Sequence, residues 1–221
     1  MKRAALQRLV HFLLKTITRT EYLGADCVPT EGPIIIATNH LSLVDTPVLF
    51  NNPKRPDITA LVTTKYQQYA FVKWFVNSGE GIWIDRDTAD FGAFRRAVEA
   101  LKRGLAVGIS PEGTRSHDGQ LQEGKPGAVL LALRSNVPIV PVALTGTERA
   151  VDDFKHLRVP HMIARFGPAF TLPELNRDDQ TSELKRYTDE IMCRIAALLP
   201  EQYRGFYRNF PRVKELVSST C

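Results

Sequence analysis

The sequence predicts an α/β fold: a single αβ sandwich with a mostly parallel or mixed central sheet flanked by helices, plus an N-terminal amphipathic helix. Three observations carry this. Short β-branched runs alternate with segments of helical period. Each strong polar motif falls directly after a strand candidate, at the end of the strand where α/β sheets place their ligands. A chain of 221 residues is long enough for one well-buried domain and too short to require two.

Residues 1–20 read as a helix, with Leu6, Leu9, Val10, Leu13, Leu14 and Ile17 at helical spacing and basic residues on the remaining arc. Such a helix either packs on the core or lies in a membrane interface. The division expected is an N-terminal amphipathic helix over residues 1–24 and an α/β domain over 25–221. Gly32-Pro33 turns the chain into the apolar run Ile34-Ile35-Ile36, a buried strand, and Pro47 marks a helix through Phe50 that Asn51-Asn52-Pro53 breaks. Residues 58–64 form a second strand ending at Lys65. A helix over 66–76 then presents Tyr69, Val72, Trp74 and Phe75, either as core or as a membrane-facing patch.

Gly81 to Ile84 is a third strand, with Asp85-Arg86 at its end. Phe91, Phe94, Val98 and Leu101 share one face of a helix that Gly104 terminates. Residues 105–110 form a fourth strand, and a polar loop leads to a helix opened by Pro126. Residues 137–144 form a fifth strand whose Pro138 and Pro141 suit an edge or irregular position. A last strand covers Met162 to Phe166, and a long helix carries Leu184, Tyr187, Ile191, Ile195 and Leu198, capped by Ser182 and ended by Pro200.

Formal net charge is +5, which suits an anionic partner. The basic groups are dispersed without a recognition motif, which argues against nucleic acid. Cys27, Cys193 and Cys221 lack metal-ligand spacing, and their odd number closes no disulfide framework, so reduced thiols in a cytoplasmic compartment are expected. No apolar run approaches the roughly 20 residues of a membrane span. Charges punctuate the N-terminus where a signal peptide would be apolar.

The first strand delivers Asn39 and His40, and Asp45 follows five residues later. On a continuous helix that interval would place the two side chains about 140° apart. Across a loop-to-helix junction the carboxylate can instead fold back and accept the imidazole Nδ1–H, leaving Nε2 to take a proton. The same residues would also serve a helix entry and its cap. Arg86 and Arg115, with Lys65 and Lys125, follow other strands and would make a cationic pocket suited to phosphate. Gly113 lets backbone N–H groups approach a ligand.

Four ordered blocks now stand together: Asn39-His40-(four residues)-Asp45; Gly81-Ile82-Trp83-Ile84-Asp85-Arg86; Pro111-Glu112-Gly113-Thr114-Arg115-Ser116; and Val137-Pro138-Ile139-Val140-Pro141. In order and content they resemble the glycerolipid acyltransferase family, and more closely its 1-acyl-sn-glycerol-3-phosphate (lysophosphatidic acid) acyltransferase branch. The resemblance covers roughly residues 25 to 145. It implies that His40 is the general base, Asp45 its orienting partner and Lys65 a basic group near the thioester oxyanion. It further implies that Asn39, Arg86, Glu112, Gly113, Thr114 and Arg115 bind the substrate.

The implied reaction moves a fatty acyl group from acyl-CoA or acyl carrier protein to a lysophospholipid. It needs no metal or other cofactor. The implied setting is the cytoplasmic face of a membrane, held there by the N-terminal helix. Ser110 departs from the aromatic residue usual before Pro-Glu-Gly. The readings left standing beside this one are another lysophospholipid or glycolipid acceptor, a thioesterase, and a non-catalytic lipid-binding module.

Overall fold

The run Ile34–Thr38 is apolar at every position but the last, and in the computed structural model it is buried along its whole length. A strand covered on both faces requires that composition. The structure describes residues 3–88, 90–176 and 179–218; Cys221 and the first two residues of the expected N-terminal helix lie outside them. The chain runs α1 (Arg3–Ile17), β1 (Arg19–Leu23), β2 (Ile34–Thr38), α2 (Asp45–Phe50), β3 (Thr59–Thr63), α3 (Ala70–Ser78), β4 (Ile82–Ile84) and α4 (Phe91–Lys102). It continues through β5 (Ala106–Ile109), α5 (Gly127–Ser135), β6 (Ile139–Thr145), α6 (Ala150–Lys155), β7 (His161–Phe166), α7 (Gln180–Leu198) and α8 (Pro211–Ser218).

The seven strands make one sheet in the order β1-β7-β6-β2-β5-β3-β4, parallel throughout except for antiparallel β6 and β7. The mixed, mostly parallel sheet is the one expected. Strand pleating divides its core in two. Ile35 and Ala37 face one way, with Val107 and Ile139, onto residues of α4, α5 and α7. Ile34 and Ile36 face the other way, with Val140 and Val142, onto residues of α1 and α2.

Several elements differ from expectation, each for a physical reason. Strand β6 lies in the sheet interior rather than at an edge, with Pro138 just before it and Pro141 at an irregular position within it. Pro141 falls where the β7 ladder, beginning at Val142 opposite Phe166, gives way to a bridge between Ile139 and Phe170. A missing N–H is tolerated at such an interruption, and the Pro141 carbonyl accepts from Gly167 N (2.9 Å). Strand β1 was not foreseen because an edge strand needs no apolar run, and Arg-Thr-Glu-Tyr-Leu has none. Its pairing with β7 carries the sheet across the expected 24/25 division, and Leu6, Val10 and Leu14 of α1 are buried in the same core. Helix α7 begins at Gln180, so Ser182 sits inside its first turn rather than capping it. On α3, Phe75 packs edge-on against Phe50 at 5.7 Å, whereas Phe71 and Trp74 are exposed.

Candidate active site

The polar motifs gather where the central parallel strands end. Just past β2 the chain turns, and Asp45, in the first turn of α2, folds back onto it. Asp45 Oδ2 lies 2.7 Å from His40 Nδ1 and accepts the backbone N–H groups of Leu41 (2.7 Å) and Ser42 (2.9 Å). Its Oδ1 accepts the Thr147 hydroxyl at 2.5 Å. The carboxylate is almost fully buried and every group around it is a donor, so its position is overdetermined. A ring held by Nδ1–H to this oxygen presents Nε2 as its basic nitrogen, and the His40 side chain remains 15% exposed.

The loop that carries His40 is tied from three sides. Asn39 is buried, and its amide exchanges two hydrogen bonds with the Leu144 backbone (2.9 and 2.7 Å), locking the exit of β2 to β6. Glu112 is only 2% exposed; its two oxygens accept His40 N–H (2.8 Å) and Gln122 N–H (2.9 Å). Burial pushes its carboxyl up to about 7, with those two bonds pulling the other way. His40 O accepts Ser116 N–H at 2.8 Å. Asn39 and Glu112, both expected to bind substrate, therefore engage backbone and position the histidine.

The cations form a second group. Arg86 donates to Gly113 O at 2.7 Å, and Arg115 lies over the Tyr66 ring at 5.6 Å. Burial lowers the Arg86 guanidinium below its ordinary value, Tyr66 opposes that, and the nearby Arg115 charge adds to it. The two arginines thus share one neighbourhood, as a dianionic ligand would require. Gly113 has φ +71, which disfavours any side chain, and a Cβ there would come within 3.0 Å of Lys125 Cδ. Thr114 is exposed on the same turn. The Lys65 ammonium pairs with exposed Asp87 at 3.2 Å, a contact weak enough to exchange for a ligand. Beside the turn a cleft of about 660 Å³ opens, lined by Leu41, Arg115, Ser116, Glu148 and Tyr203 among others.

Thr147, Tyr66 and Gln122 were not singled out in the sequence. Thr147 lies 102 residues from Asp45, so only the parallel register of β2 and β6 joins them.

A family model described as Acyltransferase matches residues 19–145, more than half of the chain. The chain belongs to this acyltransferase family. The match spans β1 to the end of β6 and so includes every site residue expected from the sequence. Among curated relatives it is 40% identical over 105 residues to the 1-acyl-sn-glycerol-3-phosphate acyltransferase of Limnanthes douglasii (45% of this chain, 35% of that one). It is 28% identical over 132 residues to the chloroplastic BAT2 enzyme of that name from Brassica napus (58% and 38%). A Borreliella burgdorferi relative of the same name is 27% identical over 126 residues (56% and 50%). This acyltransferase chain thus aligns with about a third to a half of those relatives' length. The crystal structure of the 1-acyl-sn-glycerophosphate (LPA) acyltransferase PlsC from Thermotoga maritima shares its fold, with a TM-score of 0.66 over 86% of this chain and 76% of that one at 21% identity.

Proposed function

We propose that this acyltransferase moves a fatty acyl group from an acyl thioester to the free hydroxyl of 1-acyl-sn-glycerol-3-phosphate, giving phosphatidic acid. The observation that carries the reading is the 2.7 Å contact of His40 Nδ1 with a buried Asp45, on a turn that the Ser116 N–H to His40 O bond (2.8 Å) ties to the loop bearing Arg115. Three curated relatives named for that activity support it.

The chemistry follows from the groups present. His40 Nε2 takes the acceptor's hydroxyl proton as the oxygen attacks the thioester carbonyl carbon. The Asp45 carboxylate stabilises the imidazolium so formed. Lys65, released from Asp87, or backbone N–H groups meet the tetrahedral oxyanion. Collapse breaks the carbon–sulfur bond, and the imidazolium returns its proton to the thiolate. Arg86 and Arg115 hold the acceptor phosphate, which makes the attack effectively unimolecular. The donor is a thioester of coenzyme A or of acyl carrier protein. The chain works at the cytoplasmic face of a membrane, with α1 as its contact: Leu9, Phe12, Leu13 and Ile17 are exposed there although the opposite stripe is buried.

The test is purified protein with labelled acyl thioester and a panel of lysolipid acceptors, read by product mass. Phosphatidic acid formed only with the phosphate-bearing acceptor is expected; free fatty acid released at the same rate without acceptor would make the chain a thioesterase. Arg115→Ala is expected to raise the acceptor KM about 10- to 100-fold with a smaller effect on kcat, since it removes one charge-assisted phosphate contact. An equal fall in kcat at unchanged KM would remove Arg115 from phosphate binding.

A further inference from the structure

Helix α6 gives Ala150 to the core, but beyond it the helix and the turn behind it bury almost nothing. Val151 and Phe154 lie three residues apart on one side of α6, Leu157 follows in the turn beyond it, and all three are exposed. Leu157 is 95% exposed and Val159 68%. The turn is a Schellman cap, in which Leu157 N–H bonds Phe154 O (3.1 Å) and Arg158 N–H bonds Asp153 O (2.8 Å). Leu157 therefore holds φ +54, a left-handed conformation normally given to glycine. Neither backbone preference nor burial accounts for a leucine at that position.

Topology decides what this turn faces. Strand β7 runs antiparallel to β6, pairing Thr145 with Ile163, so the segment 146–160 sits at the sheet end that carries His40. Strand β1 begins at the same end, and Arg19 N–H bonds Pro160 O at 2.8 Å. The exposed Ile17 closing α1 is thus joined through Thr18 and Arg19 to the strand position beside Val159. Charge agrees with an anionic surface. Lys15, Arg149, Lys155 and Arg158 make no ion pair among the described residues, whereas Asp152 faces His156 (3.6 Å) and Asp153 lies in the first turn of α6.

We infer that the α6 stripe and its turn, with Leu157 at the tip, form a second lipid-contact element that seats the active-site end of the sheet on an anionic bilayer together with α1. This rests on the membrane-surface part of the proposed function and adds a specific surface to it. Leucine at the tip and lysine and arginine beside it are the composition of an interfacial anchor.

The test is flotation with phosphatidylcholine–phosphatidylglycerol vesicles, which needs no catalysis. Leu157→Gly is expected to weaken vesicle partitioning roughly tenfold, and Leu157→Asp further, because a leucine side chain leaves the lipid interface. The melting temperature of Leu157→Gly should equal or exceed that of the unaltered chain, since glycine suits the conformation better. Turnover of a monodisperse short-chain lysolipid should be unchanged. Vesicle binding by both variants at the unaltered level, or absence of binding by the unaltered chain, would overturn the inference. Loss of self-association instead of vesicle binding would overturn it too, assigning the stripe to a second copy. Failure of acyl transfer in the unaltered chain would count against the function alone and leave the flotation result standing.

Discussion

His40→Ala is expected to lower acyl transfer by about 10²- to 10⁴-fold, the range a positioned general base contributes, while the urea unfolding midpoint stays close to that of the unaltered chain. The reason is a separation of roles on one residue. The His40 backbone makes the structural contacts, N–H to Glu112 and O from Ser116, and alanine keeps both. Asp45 loses only its imidazole partner and still accepts from Leu41, Ser42 and Thr147. Asp45→Asn supplies the contrast. Its amide oxygen can replace only one of the two accepting oxygens and its NH₂ cannot accept, and the charge that steadies the imidazolium is gone, so rate and stability should fall together. Product mass spectrometry and urea titration on the same preparations decide it; turnover within a few-fold of the unaltered chain in His40→Ala would take the histidine out of the chemistry.

Glu112→Gln is expected to change the pH dependence of stability more than any other single substitution at the site. The Glu112 carboxyl sits at about 7 in the folded chain against an ordinary 4.5, because burial disfavours its charged form. Between those values the folded state keeps a proton that the unfolded chain has released. The stability so contributed is complete below about 4.5 and is lost as pH rises through about 7. The shift is worth about 3 kcal/mol at most. Glutamine cannot titrate, so its urea midpoints should lack that fall between about pH 4.5 and 7. It should also be less stable at low pH, since one of the N–H groups of His40 and Gln122 then meets an amide NH₂. Parallel slopes for the two proteins across that range would show that the carboxyl does not titrate there.

Much of the site was legible because its signals are local. The interval from His40 to Asp45 spans one turn, and the family blocks around Arg86 and Arg115 each follow a short apolar strand. Their convergence was expected from the rule that parallel strands end on one side of a sheet. The division of labour was not legible. Asn39 and Glu112 look like ligand-binding groups in a motif, yet each is buried with its polar atoms committed to backbone, of Leu144 for Asn39 and of His40 and Gln122 for Glu112. Strand β1, with no apolar run, and the short helix α6 also escaped, because an edge strand and a surface helix need little hydrophobic periodicity.

By itself the sequence determined the α/β class and the order of strands and helices along the middle of the chain, and it left the pairing of His40 with Asp45 open beside a helix cap, which the 2.7 Å contact decided. Class and order follow from hydrophobic period, turn residues and short-range spacing. Only the tertiary structure decided that β6 is interior, that Thr147 completes the setting of Asp45, and that the turn bearing the exposed Leu157 lies at the end of the sheet that carries His40. Each depends on the lateral order and direction of strands. Neighbours across a sheet are chosen by the packing of the whole core, which no local spacing encodes.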